Sequence, residues 1–249
     1  TTPSASPMTT PLPHPTAPRG IHPDDAVLFA PEALPRLRTA LQEVTWLLDR
    51  GYPLPTLLTL AGNHHQLHAR QRLALSRVAA TPAQHAARRA RCRPLAAHRG
   101  APLHLDAFNL LITLEIALAR GPLFRGPDAA LRDLAGVRGS YSLTSDTNTA
   151  LTWLLDTLVD AGIPHVTFWL DAPMPSSGRL RAHILQRASA TKLPVDAHLV
   201  RDADASLEGL QGVVSSDGLV LDRCESWVNL ASELIAANAP GAWIVDLGT

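Results

Sequence analysis

Apolar residues recur every three or four positions from Pro31 to about Cys92, and then the rhythm changes. Leu34, Leu37, Leu41, Val44, Leu47 and Leu48 draw one stripe along a helix, which Asp49-Arg50-Gly51-Tyr52-Pro53 terminates. A second helix, LPTLLTLAG, is predicted to stop at Gly62. A third covers His64 to Ala80 and carries Leu67, Leu73, Leu75 and Val78, with Arg70, Arg72 and Arg77 between them. Thr81-Pro82 supplies a cap and first-turn pair for a fourth, Arg-rich helix reaching Arg93. Pro94 to Pro102 reads as a linker.

After the linker, short apolar runs alternate with helical periods. A strand (Leu103 to Asp106) leads into a helix from Ala107 to Arg120, and an irregular, Gly-rich stretch runs from Gly121 to Asn148. A helix from Thr149 to Ala161 precedes a strand from His165 to Asp171. A Pro/Ser loop, a helix from Gly178 to Ala190, and strands Val195 to Val200 and Gly212 to Ser216 follow. A helix from Glu225 to Ala237 and the apolar run AWIVDL close the chain. Strands separated by helices of this length predict a mostly parallel sheet with helical crossovers. The expected class is α/β: a disordered tail (1–23), an all-α helical domain (24–93), a linker (94–102) and an α/β domain (103–249).

Four of the apolar segments run into aspartate: LHLD at Asp106, VTFWLD at Asp171, HLVRDAD at Asp202 and Asp204, and VVSSD at Asp217. In a parallel sheet their carboxyl ends share one edge, where open α/β sheets bind ligands. Carboxylates crowded there repel one another, and a hard cation such as Mg²⁺ or Mn²⁺ relieves that repulsion. Asp106, Asp171, Asp204 and Asp217 are therefore the candidate catalytic set. Asp106, Asp204 and Asp217 are the candidate metal ligands, with Glu115 on the inward side of its helix as a further one. Ser176, Ser177 and Arg179, at the start of a helix, and Asn109, three residues after Asp106, are candidate phosphate contacts. Each acid also has a plain structural role open to it: Asp106 as a helix cap, and Asp217-Gly218 as a hairpin turn.

Composition sharpens this picture in two places. The net charge is zero, yet Arg36 to Arg99 holds eleven arginines against Glu43 and Asp49, and Gly100 to Thr249 holds ten basic residues against seventeen acidic ones. A basic half joined to an acidic half suits a chain that grips a polyanion with one part and holds cations with the other. Lys192 is the sole lysine, so coding bias accounts for arginine over lysine but not for the segregation. Arg70, Arg72, Arg77, Arg88 and Arg89, continued by Arg91 and Arg93, are the candidate contacts to an RNA backbone. His64, His65 and His68 have metal-compatible spacings but read as a surface cluster. Cys92 and Cys224 are too few and too far apart for a disulfide framework, so the expected setting is a reducing cytoplasm. No apolar run reaches the roughly 20 residues that span a bilayer, and no signal-peptide pattern opens the chain.

DAFN at Asp106, Glu115 in the next helix, PDAALRDLAG, WLDAPMPSSGR and VVSSDG together resemble the PIN/NYN-like fold. The stretch WLLDRGYP…LAGNHHQLHARQRLALSRV resembles the helical domain of unknown function of the DUF434 type, found in a prokaryotic family. The resemblance implies a three-layer α/β/α domain and a Mg²⁺- or Mn²⁺-dependent ribonuclease using acids on the sheet's carboxyl edge. By that pattern Asp106 matches the first-strand acid, Asp217 the S/T-x-D-type acid and Asp204 the acid between them. Gly218 stands where NYN domains often carry a further aspartate. Asp128 and Asp133 either complete the metal site or cap a short LRDL helix. The alternatives are a non-catalytic RNA-binding adaptor with a degenerate PIN-like fold, and the nuclease half of a toxin–antitoxin pair; self-association is left open. No Walker A sequence, no G-x-G-x-x-G after a strand and no G-x-S-x-G elbow occurs, which excludes P-loop NTPases and disfavours dinucleotide enzymes and α/β-hydrolases. Asp106 lacks an aspartate two residues on, against an aspartyl-phosphate phosphatase.

Overall fold

The computed structural model describes residues 20–135 and 141–248. Most of the expected tail lies outside the described residues, as does part of the Gly-rich stretch. The N-terminal half is helical: α1 (Asp25–Leu28), α2 (Leu34–Leu48), α3 (Leu54–His64), α4 (Ala69–Val78) and α5 (Pro82–Arg91). The third helix starts later than the periodicity predicts because His68 caps α4, accepting from the Arg70 N–H while Gln71 completes a capping box. Thr81 and Gln84 form the same box on α5, with Pro82 at its first position.

The second half contains β1 (Leu103–Asp106), α6 (Ala107–Leu118), β2 (Leu123–Arg125), β3 (Leu131–Arg132), α7 (Ser145–Asp160) and β4 (Val166–Asp171). It continues through α8 (Ser177–Ala188), β5 (Val195–Val200), α9 (Ala203–Ser206), β6 (Val213–Val214), α10 (Gly218–Arg223), α11 (Leu230–Asn238) and β7 (Ile244–Asp246). The main sheet has the order β5-β4-β1-β6 and every pairing in it is parallel. The mixed α/β class and the parallel sheet are as expected. From β1 the chain builds outward through β4 to β5, then reverses to lay β6 on the other side of β1. That reversal sets a topological switch point at the carboxyl ends of β1 and β6.

Three expectations need correction. The predicted helix from Glu225 to Ala237 begins only at α11 (Leu230–Asn238), because the segment between α10 and α11 is extended. There Trp227 is fully buried, bridges to Cys92 and Val213, and donates from Nε1 to the Arg88 carbonyl at 2.7 Å. The LRDL segment is strand rather than helix, because Leu131 and Arg132 pair antiparallel with β2. The linker is packed: Leu95 to His98 form a 3-10 turn, and Leu95 is buried.

A second sheet, β3-β2-β7, assembles from pieces far apart in sequence. Its Phe124 and Val245, with Leu134 and Leu247, complete the core formed by Leu37, Leu41, Leu75 and Val78 of the helices. Phe124 meets Phe29 edge-on at 4.7 Å, a geometry worth about 0.5–1.5 kcal/mol beyond its buried area. The helical unit therefore shares its core with strands of the second half, and the two halves enclose a cleft between them.

Candidate functional site

The carboxyl edge of the parallel sheet opens into a cleft of about 520 Å³. Asp106, Asp171, Asp204 and Asp217 all line it, together with Asn109, Asp133, Ser216 and Asp222. The opposite wall comes from the helical unit and includes Leu48, Leu54, Arg77, Ala79, Gln84 and Arg88. The acids reach this common place by the same local device. Each follows a strand or strand-end loop, and the carboxylates of Asp106, Asp171 and Asp217 are each oriented by a backbone N–H.

Asp106 ends β1 and caps α6, accepting from the Asn109 N–H at 3.3 Å; its other oxygen accepts from the Ser215 hydroxyl at 2.9 Å. The helix-cap role is thus real and coexists with a place in the cleft. Asp171 ends β4 and accepts from the Ala203 N–H at 2.8 Å, which fixes the start of α9 and with it Asp204. Asp202, exposed, caps α9 through the Ala205 N–H. Asp217 accepts from the Leu219 N–H at 2.8 Å and opens α10 rather than a hairpin. Asn109 Oδ1 accepts from both the N–H and the hydroxyl of Ser216, at 2.8 and 3.0 Å, so it holds the loop that presents Asp217.

Asp106 is 5% exposed, and among the described residues no cationic side chain pairs with it. Burial, followed by the charges of Asp204 and Asp217, pushes its pKa up to about 7 against the pull of its two hydrogen bonds. Burial and then Asp217, Asp171 and Asp202 push Asp204 up to about 6. Asp133, also raised by burial, accepts from the Thr113 hydroxyl at 3.0 Å and the Ala135 N–H at 2.8 Å. The oxygens of buried Asp106 and half-buried Asp204 and Asp217, which repel one another, fit a hard divalent cation in their donor type.

The other expected residues are placed elsewhere. Glu115 does not line the cleft; its carboxylate accepts from the Tyr141 and Thr147 hydroxyls at 2.8 and 2.5 Å, near the start of α7. Ser177 is buried and donates to the Ala172 carbonyl, and Arg179 donates to Ser176 Oγ, so these three bond locally and do not line the cleft. Among the arginines, Arg70 pairs with buried Asp25, Arg72 donates to the Leu67 carbonyl and Asn63, and Arg89 to the Pro127 carbonyl. Arg91 and Arg93 donate to backbone carbonyls. Arg77 and Arg88 reach the cleft.

Arg88 belongs to a buried network that periodicity did not reveal. It pairs with Asp222 through Nε at 2.7 Å and Nη2 at 2.8 Å, and with Asp128 at 3.0 Å. Asp128 also grips Arg132 at 2.8 and 2.7 Å, and His85 Nδ1 lies 3.7 Å away. Arg132 Nε donates to the Ser216 carbonyl at 2.8 Å, and Gln84 donates to Asp222 at 2.9 Å. Burial alone would raise Asp128, but the nearby His85 and the bonds from Arg132 and Arg88 hold it well below the usual carboxylate range. The network ties α5 of the helical unit to the loop and helix bearing Asp217. Asp222 sits one turn beyond the DG pair that resembles a hairpin, so only its helical spacing from Asp217 signals it.

Fold and cleft together define a mixed α/β protein with an acidic switch-point site roofed by basic helices. The chain belongs to the family described as Domain of unknown function (DUF5616), which its residues 95–233, more than half of its length, match. Residues 36–91 match a second family, Protein of unknown function (DUF434), in keeping with the resemblance of the N-terminal stretch. An uncharacterised protein of Methanocaldococcus jannaschii is 25% identical over 201 residues, covering 80% of this chain and 96% of that one. No solved structure matches the chain. Among the described residues no helix is long and apolar enough to cross a membrane.

Proposed function

We propose that the protein is a metal-dependent phosphodiesterase of the PIN-like kind acting on RNA. The observation that carries this reading is the set Asp106, Asp171, Asp204 and Asp217, gathered in one cleft with no basic side chain among the described residues in an ion pair with any of them. Asp106, Asp204 and Asp217 would hold one or two Mg²⁺ or Mn²⁺ ions, with Asp171 beside them. Such a cation supplies a lowered pKa for an attacking water and neutralises charge developing on the scissile phosphate.

The chain's own residues supply positioning and charge. Ser215 and Asn109 hold Asp106 and the Asp217 loop in register. Asp204, half-buried and raised to about 6 by burial and by Asp217, Asp171 and Asp202, carries a repulsion that a bound cation would relieve. Arg77, on the facing wall, donates from Nη2 to the Ala135 carbonyl at 3.2 Å but pairs with no carboxylate among the described residues, so its charge would remain for a phosphate entering the cleft. The adaptor reading, in which rows of arginines carry the function, is disfavoured because Arg70 and Arg88 are spent on internal carboxylates and Arg72 and Arg89 on internal oxygens.

The test is calorimetric titration of Mn²⁺ and Mg²⁺ into the wild type and an Asp106→Asn/Asp217→Asn variant, followed by incubation of each with labelled single-stranded RNA. Metal uptake and cleavage by the wild type, both absent from the variant, support the proposal. RNA retention without uptake or cleavage by the wild type would return the function to the basic helices.

A further inference from the structure

A second group of metal-ligating side chains lies on the helical unit, apart from the acidic cleft. Packing of Val44 on α2 against Ala61 on α3 closes the two helices together. Glu43 precedes Val44, and His65 follows Ala61 by one helical turn, so the same contact brings their side chains to the adjoining edge. His65 Nε2 stands 2.7 Å from Glu43 Oε2. His64, the last residue of α3, turns its ring edge-on to His65 with centroids 4.8 Å apart. One ligand atom from each of Glu43, His64 and His65 lies within 4.8 Å of the others.

The membership differs from the three histidines singled out by spacing. His68 is occupied as the cap of α4, its Nδ1 accepting from the Arg70 N–H at 3.3 Å. Glu43, from a different helix, takes its place. Two imidazoles and one carboxylate form a donor set that zinc uses when a fourth position stays open to water. Imidazole nitrogen favours Zn²⁺, Ni²⁺ or Cu²⁺ over Mg²⁺, which prefers an all-oxygen shell. The ligand atoms, within 4.8 Å of one another, would draw together around an ion. Two ligands about 2.0–2.1 Å from a tetrahedral zinc sit about 3.3 Å apart, so the His65–Glu43 contact has only to open slightly. The side chains are accessible to an arriving ion: Glu43 is 44% and His65 13% exposed, and His64 lies on the surface.

We propose that Glu43, His64 and His65 form a transition-metal site that takes one Zn²⁺-class cation and clips the middle of α2 to the end of α3. This site does not depend on the nuclease reading, since it shares no residue with the cleft.

The experiment uses the full chain, freed of metal with chelator, in an Asp106→Asn/Asp217→Asn background so that the cleft does not compete. Zn²⁺ is titrated calorimetrically, and Co²⁺ is added in parallel for its visible absorption, which reports coordination number. The background protein should bind one Zn²⁺ tightly, show intense tetrahedral-type Co²⁺ bands and be indifferent to excess Mg²⁺. Adding His64→Ala and His65→Ala should weaken Zn²⁺ by more than the roughly 10–100-fold that loss of an outer-shell partner costs. Glu43→Gln, which keeps size and exposure, should weaken it while leaving the fold seen by circular dichroism unchanged. Equal Zn²⁺ affinity with and without the two histidines, or competition by Mg²⁺, would overturn the site.

Discussion

Two buried aspartates, Asp106 lining the cleft and Asp128 behind the cleft-lining Arg88 and Arg132, have opposite electrostatic fates. Asp106 accepts from a hydroxyl and an amide, faces other carboxylates and is pushed up to about 7. Asp128 accepts from two guanidinium groups beside a histidine and is held well below its ordinary value. Both are desolvated, so burial does not distinguish them; the neighbours do. A carboxylate whose charge is fully answered from within the chain is part of the framework. One whose charge is left unanswered adds nothing to the framework in that form, and under the proposed function a cation would answer it. By that criterion the Asp128–Arg88–Asp222–Arg132 network belongs to the framework, and the Asp106 edge is where the proposed cation would sit.

The sharpest way to break the comparison is to remove the answered charge. Asp128→Asn leaves Arg132 without its carboxylate partner, and breaking such a buried pair costs about 3–5 kcal/mol. Chemical denaturation should show a loss of that size, and a loss near zero would mean the network is not structural. Asp106→Asn removes an unanswered charge instead, so it should leave the metal-free protein at least as stable at neutral pH.

Acidity should separate the two as well. Because the folded pKa of Asp106 lies above its ordinary 3.8, the folded chain takes up a proton that the unfolded chain releases. That contribution to stability is present below about pH 4 and is lost as pH rises toward 7; Asp204 acts the same way up to about 6. Asp128 has the reverse sign, its contribution being lost only as pH falls below the ordinary carboxylate range. In chelator, Tm measured from pH 5 to 8 should therefore carry a falling component that vanishes in Asp106→Asn/Asp204→Asn. Adding Mn²⁺ should raise Tm most at the alkaline end, where the acids are free of protons. An identical pH profile in wild type and variant would remove the basis for calling the edge unanswered.

The smallest effect concerns the basic wall. Arg77→Ala should weaken single-stranded RNA binding and lower its salt slope by about 1, whereas Arg72→Ala should change neither. Equal losses would mean that the cleft does not direct the contact.

Much of the architecture was legible along the chain. Strand-then-helix alternation located β1, β4 and β5, and apolar runs ending in aspartate located the acids at one edge, because parallel strands with helical crossovers put like ends together. Capping signals also worked where the cap is a contiguous motif, as at Thr81-Pro82. The second sheet escaped because β2, β3 and β7 are two or three residues long and owe their strand form to pairing with one another. Glu115 looked like a ligand because inward position does not say which neighbour waits inside; here it is the hydroxyls of Tyr141 and Thr147. The rows of arginines looked free because charge pattern shows composition and not partnership.

The sequence alone therefore determined the class of fold, the alternation of elements and the edge on which the acids fall, since these follow from periodicity and chain direction. Only the tertiary structure decided which charges are paired. Asp25 with Arg70, Arg88 with Asp222, and Glu43 with His65 lie 45, 134 and 22 residues apart, and no local rule links them. Coulomb energy depends on separation in space and on the desolvation of both partners, and the packed cores set both.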